Sequence, residues 1–122
     1  MKRTPIMTIY EQGDIVLVSF PFTDLTAVKK RPALVVSANW YNKRYRDVVL
    51  VAVTSRVPPI LDELDYRITE SDFKTGKLYK DSVVKLGKVF TIENSLIRRK
   101  ICGLRSQTME EILDRLDGVY RE

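Results

Sequence analysis

Pro32 stands at the entrance to an apolar, β-branched run and follows three cations directly, in the stretch KKRPALVVS from Lys29 to Ser37. Its ring fixes its own φ angle and disfavours helical backbone at the residue before it, so Arg31 is expected to be extended. The apolar run is typical of a buried strand. An arginine held in this way can present a planar fork of donors to a phosphate group. The stretch therefore predicts a strand with an anion-binding entrance.

Two further apolar runs carry a short polar signature at one end. Gly13–Asp24 opens with Gly-Asp, and Asp47–Arg56 closes with Thr-Ser-Arg. Their apolar residues would lie on both faces, which is typical of strands covered on two sides. We expect Pro21 to end the first strand, a polar loop to cover Thr23–Lys30, and Thr54 to lie at the exit of the third strand, within Asp47–Arg56.

The rest of the chain predicts more short strands and one closing helix. The pattern around Gly87 indicates a strand with a bend or bulge. From Ser106 the apolar residues take a helical period, so we expect an amphipathic helix with Ser106 or Thr108 as its N-cap. Shorter strands are indicated at Tyr66–Thr69 and Arg99–Leu104. With 122 residues, the chain is expected to form one domain with an ordered core from about residue 10 to 120.

Composition excludes several classes of protein and of site. The chain has no histidine and a single cysteine, Cys102, so zinc sites and Cys-His nucleophiles are disfavoured and we expect no metal and no cofactor. No apolar run approaches the length of about 20 residues that spans a bilayer, and the N-terminus lacks the apolar core of a signal peptide. We therefore expect a cytoplasmic protein without a membrane partner.

Charge is unevenly distributed along the chain. The net charge is +5 and the sequence pI is about 9.4, which indicates an anionic partner. Basic residues cluster at Lys29–Arg31, Lys43–Arg46 and Arg98–Lys100, whereas acidic residues gather at Asp62–Asp72 and after Glu110. The basic clusters are therefore candidate contacts for a polyanion.

The stretch NWYNKRYRD interleaves aromatic and basic side chains. Trp40, Lys43 and Arg44 have the composition that stacks on bases while pairing with phosphates. A short turn with solvated charges and one aromatic side chain in the core is an equally supported interpretation.

Three strand motifs together resemble those of the MazF/PemK toxin family. They are the Gly-Asp that opens the first strand, the Arg-Pro before the second and the Thr-Ser-Arg after the third. The resemblance extends over roughly Tyr10 to Tyr120, and only the three strand motifs are specific. It implies a mainly β chain with a C-terminal helix, folded as a small SH3-like β-barrel of the MazF/PemK/CcdB kind. It also implies a homodimer.

The same resemblance implies the toxin of a type II toxin–antitoxin system. Such toxins are sequence-specific endoribonucleases that cleave single-stranded mRNA, and an acidic antitoxin covers their RNA groove. In the family, the catalytic pair is the arginine of the Arg-Pro motif and the threonine that ends the third strand, which are Arg31 and Thr54 here. Cleavage without metal uses the ribose 2′-OH as nucleophile, so the protein positions the phosphate and stabilises its growing charge.

The predicted RNA-binding residues surround this pair in sequence. Ser55 and Arg56 either bind phosphate or close a turn. Lys88, with Gly87, stands where many members have a Glu-Gln pair, a difference that bears on sequence preference more than on the reaction. The full predicted set is Lys29, Lys30, Trp40, Lys43, Arg44, Ser55, Arg56 and Lys88.

Two other functions remain compatible with this sequence. The related CcdB toxins use the same barrel to bind DNA gyrase and cleave nothing. The other alternative is a nucleic-acid-binding barrel that has lost its catalytic activity. The Arg-Pro and Thr-Ser-Arg motifs favour the nuclease.

Overall fold

The computed structural model describes residues 7–21 and 28–122. The described chain is mainly β and ends in a helix, as the sequence predicts, and among its residues no helix is long and apolar enough to cross a membrane. The expected loop at Thr23–Lys30 lies partly outside the described residues, and its last part is wrong because the second strand already begins at Val28. The elements are β1 (Asp14–Pro21), β2 (Val28–Val35), α1 (Asn39–Arg44), β3 (Asp47–Thr54), β4 (Asp65–Ile68), β5 (Phe73–Thr75), β6 (Ser82–Glu93), β7 (Ile97–Leu104) and α2 (Ser106–Tyr120).

The strands form a single sheet in the order β4-β6-β3-β2-β1-β7-β5, and all neighbouring strands are antiparallel. Strand β2 takes the middle position and pairs Leu34 with Ile15 of β1 and Ala33 with Ala52 of β3. Because β2 and β3 are antiparallel, the entrance of β2 and the exit of β3 lie at the same end of the sheet. This arrangement positions the candidate site.

Strand β6 carries the bulge that Gly87 predicts. Val51 of β3 pairs with Val89, whereas Val53 pairs with Val84, so two steps along β3 correspond to five along β6. The extra residues of β6 cannot all stay in the ladder, and they bend the strand locally. Lys85 and Lys88 lie within this bulged part.

Two apolar cores lie against the sheet. The larger core includes Ile15, Leu34 and Leu86 from the strands and Ile112 and Leu116 from α2. Burying each such side chain contributes about 1.5–3 kcal/mol. The smaller core consists of Tyr10, Val16, Val18, Ala33, Val35, Val48, Leu50 and Ile97. Both cores run across β1, β2 and β3, which explains why those strands are apolar on both faces.

The start of α2 differs from the expectation. Arg105 occupies the N-cap position without a side-chain cap, so the predicted caps Ser106 and Thr108 are wrong. The Thr108 hydroxyl instead donates to Asp72 Oδ1 at 2.8 Å, and the Arg105 backbone N–H donates to the Asp72 carbonyl at 2.8 Å. Asp72 therefore supplies a tertiary anchor where the sequence suggests a local cap.

The aromatic and basic stretch forms helix α1 rather than a simple turn. Its buried residue is Asn42, which donates from Nδ2 to the carbonyls of Tyr10 at 3.0 Å and Ser37 at 3.1 Å and accepts a hydrogen bond from the Ser37 hydroxyl. A buried amide with these partners fixes the helix between the N-terminal segment and the end of β2.

Replacing Asn42 with alanine tests this anchor. The substitution leaves buried carbonyl groups without a donor, so we expect Asn42→Ala to lose about 1–3 kcal/mol of unfolding free energy. The exposed Gln107→Ala in α2 serves as the control and should stay close to wild type. Urea unfolding curves measure both. Equal stability of the two variants would contradict the role assigned to Asn42.

Candidate functional site

A cleft of about 940 Å³ opens where the entrance of β2, the exit of β3 and the bulge of β6 meet. The segment between β5 and β6 adds a further wall. The lining residues are Lys30, Arg31, Pro32, Ala52, Val53, Thr54, Ser55, Arg56, Leu78, Tyr79, Lys80, Ser82, Lys85, Lys88, Val89 and Phe90.

Arg31 lies in β2, as the Arg-Pro sequence predicts, and its side chain is exposed at the cleft. The β2–β3 register pairs Ala33 with Ala52. The paired positions end there, and Arg31 and Thr54 each lie two residues beyond them, at the same end of the two strands. The two residues of the predicted catalytic pair therefore come from adjacent strand ends and face the same cleft.

Thr54 is half-buried at the last position of β3. Its Oγ1 accepts a hydrogen bond from the backbone N–H of Arg56 at 3.1 Å, which fixes the turn that follows the strand. A hydroxyl that accepts a bond still has its own proton to donate. Thr54 can therefore donate a hydrogen bond to an anion in the cleft, while Ser55 and Arg56 are exposed beside it.

The charged side chains that line the cleft are all positive. Among the described residues that line it are six cations and no carboxylate; the cations are Lys30, Arg31, Arg56, Lys80, Lys85 and Lys88. A concave surface with charges of one sign concentrates counter-ions and steers charged ligands towards it. The cleft is therefore suited to a polyanion.

Lys85 is a cleft residue that the sequence does not single out. It faces Asp65 across the β4–β6 ladder, and its ammonium group forms an ion pair with that carboxylate. The Asp65 side chain is 3% exposed, and its other oxygen accepts the backbone N–H of Asp62 at 3.0 Å. The hydrogen bond from Lys85, followed by that from Asp62, lowers the pKa of Asp65 below its usual range. Asp65 thus holds Lys85 in a fixed position at the cleft.

Tyr79 and Lys80 are further cleft residues that sequence reasoning missed. Both lie in the segment between β5 and β6, which the sequence marks only as polar and turn-forming. The sequence feature that indicates them is an aromatic residue between Lys77 and Lys80, the same interleaving of aromatic and basic residues that surrounds Trp40.

The structure brings together six of the ten residues predicted for the site: Lys30, Arg31, Thr54, Ser55, Arg56 and Lys88. The other four, Lys29, Trp40, Lys43 and Arg44, do not line this cleft. The last three belong to α1, which joins the far end of β2 to the start of β3. The guanidinium carbon of Arg44 lies 5.6 Å from the centre of the Trp40 ring, and Trp40 is 61% exposed. Helix α1 is thus a separate basic and aromatic surface.

The donor set of the cleft does not suit a resident metal. Its described lining contains none of the carboxylate, imidazole or thiolate groups that ligate metals most strongly. Elsewhere in residues 7–21 and 28–122, no group of three or more such side chains could hold an ion. Cys102 is buried, and burial raises the pKa of its thiol to about 11, so it is not a nucleophile at neutral pH.

A family model described as a PemK-like, MazF-like toxin of type II toxin–antitoxin systems matches residues 11–120. The chain is also 26% identical over 87 residues to the endoribonuclease MazF of Staphylococcus saprophyticus, a match that covers 71% of this chain and 70% of the relative.

Solved structures share the fold at low sequence identity. A MazE–MazF crystal structure from Deinococcus radiodurans has a TM-score of 0.75 at 18% identity and covers 92% of this chain and 96% of the other. A mycobacterial endoribonuclease in complex with its cognate antitoxin has a TM-score of 0.70 at 19% identity, over 92% and 93% of the two chains. These likenesses confirm the fold predicted from the sequence.

The Asp65–Lys85 pair predicts a defined pH dependence of stability. Because the folded state lowers the pKa of Asp65, the stabilisation is complete above the ordinary carboxyl pKa of about 4 and is lost as pH falls through the lower folded value. Asp65→Asn should therefore unfold at lower urea concentration than wild type at pH 7, and the gap should narrow in acid.

Asp81→Asn is the matched control, because Asp81 pairs with Arg67 in solvent. Screening should leave that variant close to wild type. Urea unfolding from pH 7 to about 2.5 measures all three proteins. A gap between Asp65→Asn and wild type that stays constant with pH would contradict the assignment.

Proposed function

The chain belongs to the PemK-like, MazF-like toxin family of type II toxin–antitoxin systems, and on that premise we propose that its cationic cleft cleaves single-stranded mRNA. The observation that carries the proposal is the meeting of Arg31 and Thr54 in one cleft lined by six cations. These are the residue types that the reaction needs when no imidazole is present, and they come from two of the three strand motifs that mark the family.

The proposed reaction is an internal transfer at the phosphate. The ribose 2′-oxygen forms a bond to the adjacent phosphorus and loses its proton, while the bond from phosphorus to the 5′-oxygen breaks and that oxygen gains a proton. The products are a 2′,3′-cyclic phosphate and a 5′-hydroxyl. Because the nucleophile belongs to the substrate, the protein contributes positioning and charge stabilisation.

Arg31 and Thr54 take complementary roles in this scheme. The guanidinium group of Arg31 offers several donors, so it stabilises the negative charge that builds on the phosphate oxygens and can act as the proton donor to the departing 5′-oxygen. The Thr54 hydroxyl donates a hydrogen bond to the same phosphate, while its Oγ1 accepts one from the Arg56 backbone N–H. Lys30, Arg56 and Lys88 attract neighbouring phosphates.

We also propose an acidic antitoxin segment as the natural inhibitor of this cleft. Two of the structures with the same fold contain toxin–antitoxin complexes, from Deinococcus radiodurans and from a mycobacterial species. A disordered acidic segment can order on a cationic surface, and apolar contacts would add the affinity that charge alone does not supply. Such a segment would compete with RNA for the cleft.

The proposal includes a homodimer acting in the cytoplasm. One small domain offers a shallow cleft, whereas two copies can join their clefts into a longer groove. Trp40, Lys43 and Arg44 of α1, together with Lys29, are proposed as RNA contacts outside the cleft. The gyrase-binding alternative is not favoured, because the family match and the Arg31–Thr54 cleft both agree with the nuclease.

The first prediction concerns the nucleophile. We expect the protein to cut RNA in excess EDTA and to leave a 2′,3′-cyclic phosphate, as identified by mass spectrometry of the fragments. An otherwise identical RNA with a single deoxynucleotide at the cleavage site should bind but stay intact, because the attacking oxygen has been removed. Cleavage that requires added Mg²⁺, or cleavage of the deoxy substrate, would contradict this mechanism.

The second prediction concerns the catalytic pair. Arg31→Ala and Thr54→Ala should each lower the single-turnover cleavage rate by about a hundredfold, the usual effect of removing one preorganised transition-state contact. Thr54→Ser should keep most of the activity because it retains the hydroxyl. The control is Arg121→Ala, which removes the same charge from an exposed position just after α2, outside the cleft. Folded Arg31→Ala or Thr54→Ala protein with the Arg121→Ala rate would show that the site is misassigned.

A further inference from the structure

The segment from Gly76 to Ser82 forms a wall of the proposed RNA cleft. It joins β5 to β6, and its other side borders a second, smaller cavity of about 390 Å³. Leu78, Tyr79, Lys80 and Ser82 line both cavities. The segment is therefore a ridge between the two, and its side chains face any ligand that leaves the cleft on this side.

The backbone of this ridge is held at both ends. Gly76 has a φ angle of +64°, and a Cβ placed there would lie 3.1 Å from the Cβ of Cys102, so the segment begins in close contact with β7. At the other end, the Ser82 hydroxyl donates to the Lys80 carbonyl at 2.9 Å, and Ser82 is the first residue of β6. These contacts make the ridge a preorganised support.

Tyr79 projects from this support into solvent. It is 96% exposed, more than any other large hydrophobic side chain in the described part of the chain, whereas the neighbouring Leu78 packs against the larger core. The contrast shows that the ridge turns one side chain inwards as an anchor and the next outwards. A whole tyrosine ring is thus available at the edge of the cleft.

The charges around Tyr79 indicate what it contacts. Lys77 and Lys80 lie within two residues of it, and the described cleft lining on one side has six cations and no carboxylate. On the other side of the ridge, the nearby carboxylate of Asp81 is paired with Arg67. Exposed aromatic rings beside a positively charged track are typical of surfaces that bind single-stranded nucleic acid, because bases stack on the rings while the phosphates follow the cations.

We propose that Tyr79 is a substrate-positioning residue that stacks on one nucleobase of the RNA strand as the strand crosses the ridge. The inference rests on the proposed function, and it adds a defined contact to a base near the cleaved bond. Stacking tolerates every base, so Tyr79 contributes affinity and register rather than a choice of sequence. The stacked base fixes the adjacent backbone, which carries the next phosphate towards Arg31.

The test combines protein variants with RNA that lacks single bases. The probe is a fluorescein-labelled oligonucleotide spanning a cleavage site, with one deoxynucleotide at that site to prevent cutting. Tyr79→Ala should raise its Kd about tenfold, whereas Tyr79→Phe should bind like wild type because the ring is kept. Tyr120→Ala, which removes a 68% exposed tyrosine from α2 outside the cleft, is the matched control and should leave the Kd unchanged.

A set of probes with an abasic site at each position locates the contact. At one position, and only there, wild type and Tyr79→Ala should bind equally well, because the base that stacks is already missing. A Kd of Tyr79→Ala equal to wild type on the complete probe would overturn the proposal. The proposal would also be overturned if Tyr79→Ala raised the Kd by the same factor at every abasic position. It would likewise be overturned if Tyr79→Ala weakened only the binding of an acidic antitoxin peptide.

Cleavage of natural RNA separates this inference from the proposed function. If wild type cuts RNA, Arg31→Ala does not, and Tyr79→Ala binds and cuts like wild type, the stacking role fails while the nuclease assignment stands. If wild type cuts no RNA, the same titrations are made with uncut single-stranded RNA as the probe, and coupling of one abasic position to Tyr79 there would support the stacking role while the nuclease assignment fails.

Discussion

The antiparallel pairing of β2 with β3 is the interaction on which the site depends. Its register places Ala33 opposite Ala52 and so brings Arg31 and Thr54 to the same end of the sheet. A slip of one residue would turn every side chain of one strand to the other face and so move the residues of each core into the other. Because each core is packed from its own set of side chains, the register and the geometry of the cleft follow from the packing of the two cores.

The same pairing separates two basic surfaces. The strand ends that meet at the cleft carry Arg31 and Thr54, while the opposite end carries α1 with Trp40, Lys43 and Arg44. Buried Asn42 ties that helix to the Tyr10 and Ser37 carbonyls, so the two surfaces are fixed relative to the same sheet. A polyanion that contacts both surfaces of one chain must therefore extend along the sheet rather than fill a single pocket.

Sequence alone predicts the strands that build this frame and much of the cleft. The Arg-Pro step, the β-branched runs and the helical period after Ser106 are local signals, and the structure confirms the elements that they indicate. The Asp65–Lys85 pair was missed because it joins residues of two neighbouring strands that are 20 positions apart in the chain, which no local pattern encodes. Tyr79 was missed because its exposure depends on how the ridge packs against β7. The predicted N-cap at Thr108 is wrong for a similar reason, because the hydroxyl of Thr108 donates to Asp72, which comes from a distant part of the chain.

The most direct test of the account is a structure of the protein bound to an RNA that carries one deoxynucleotide at its cleavage site. The phosphate at that position is expected to lie within hydrogen-bond distance of both the Arg31 guanidinium group and the Thr54 hydroxyl. An RNA that instead places this phosphate on the α1 surface, beside Lys43 and Arg44 and away from Arg31, would contradict it.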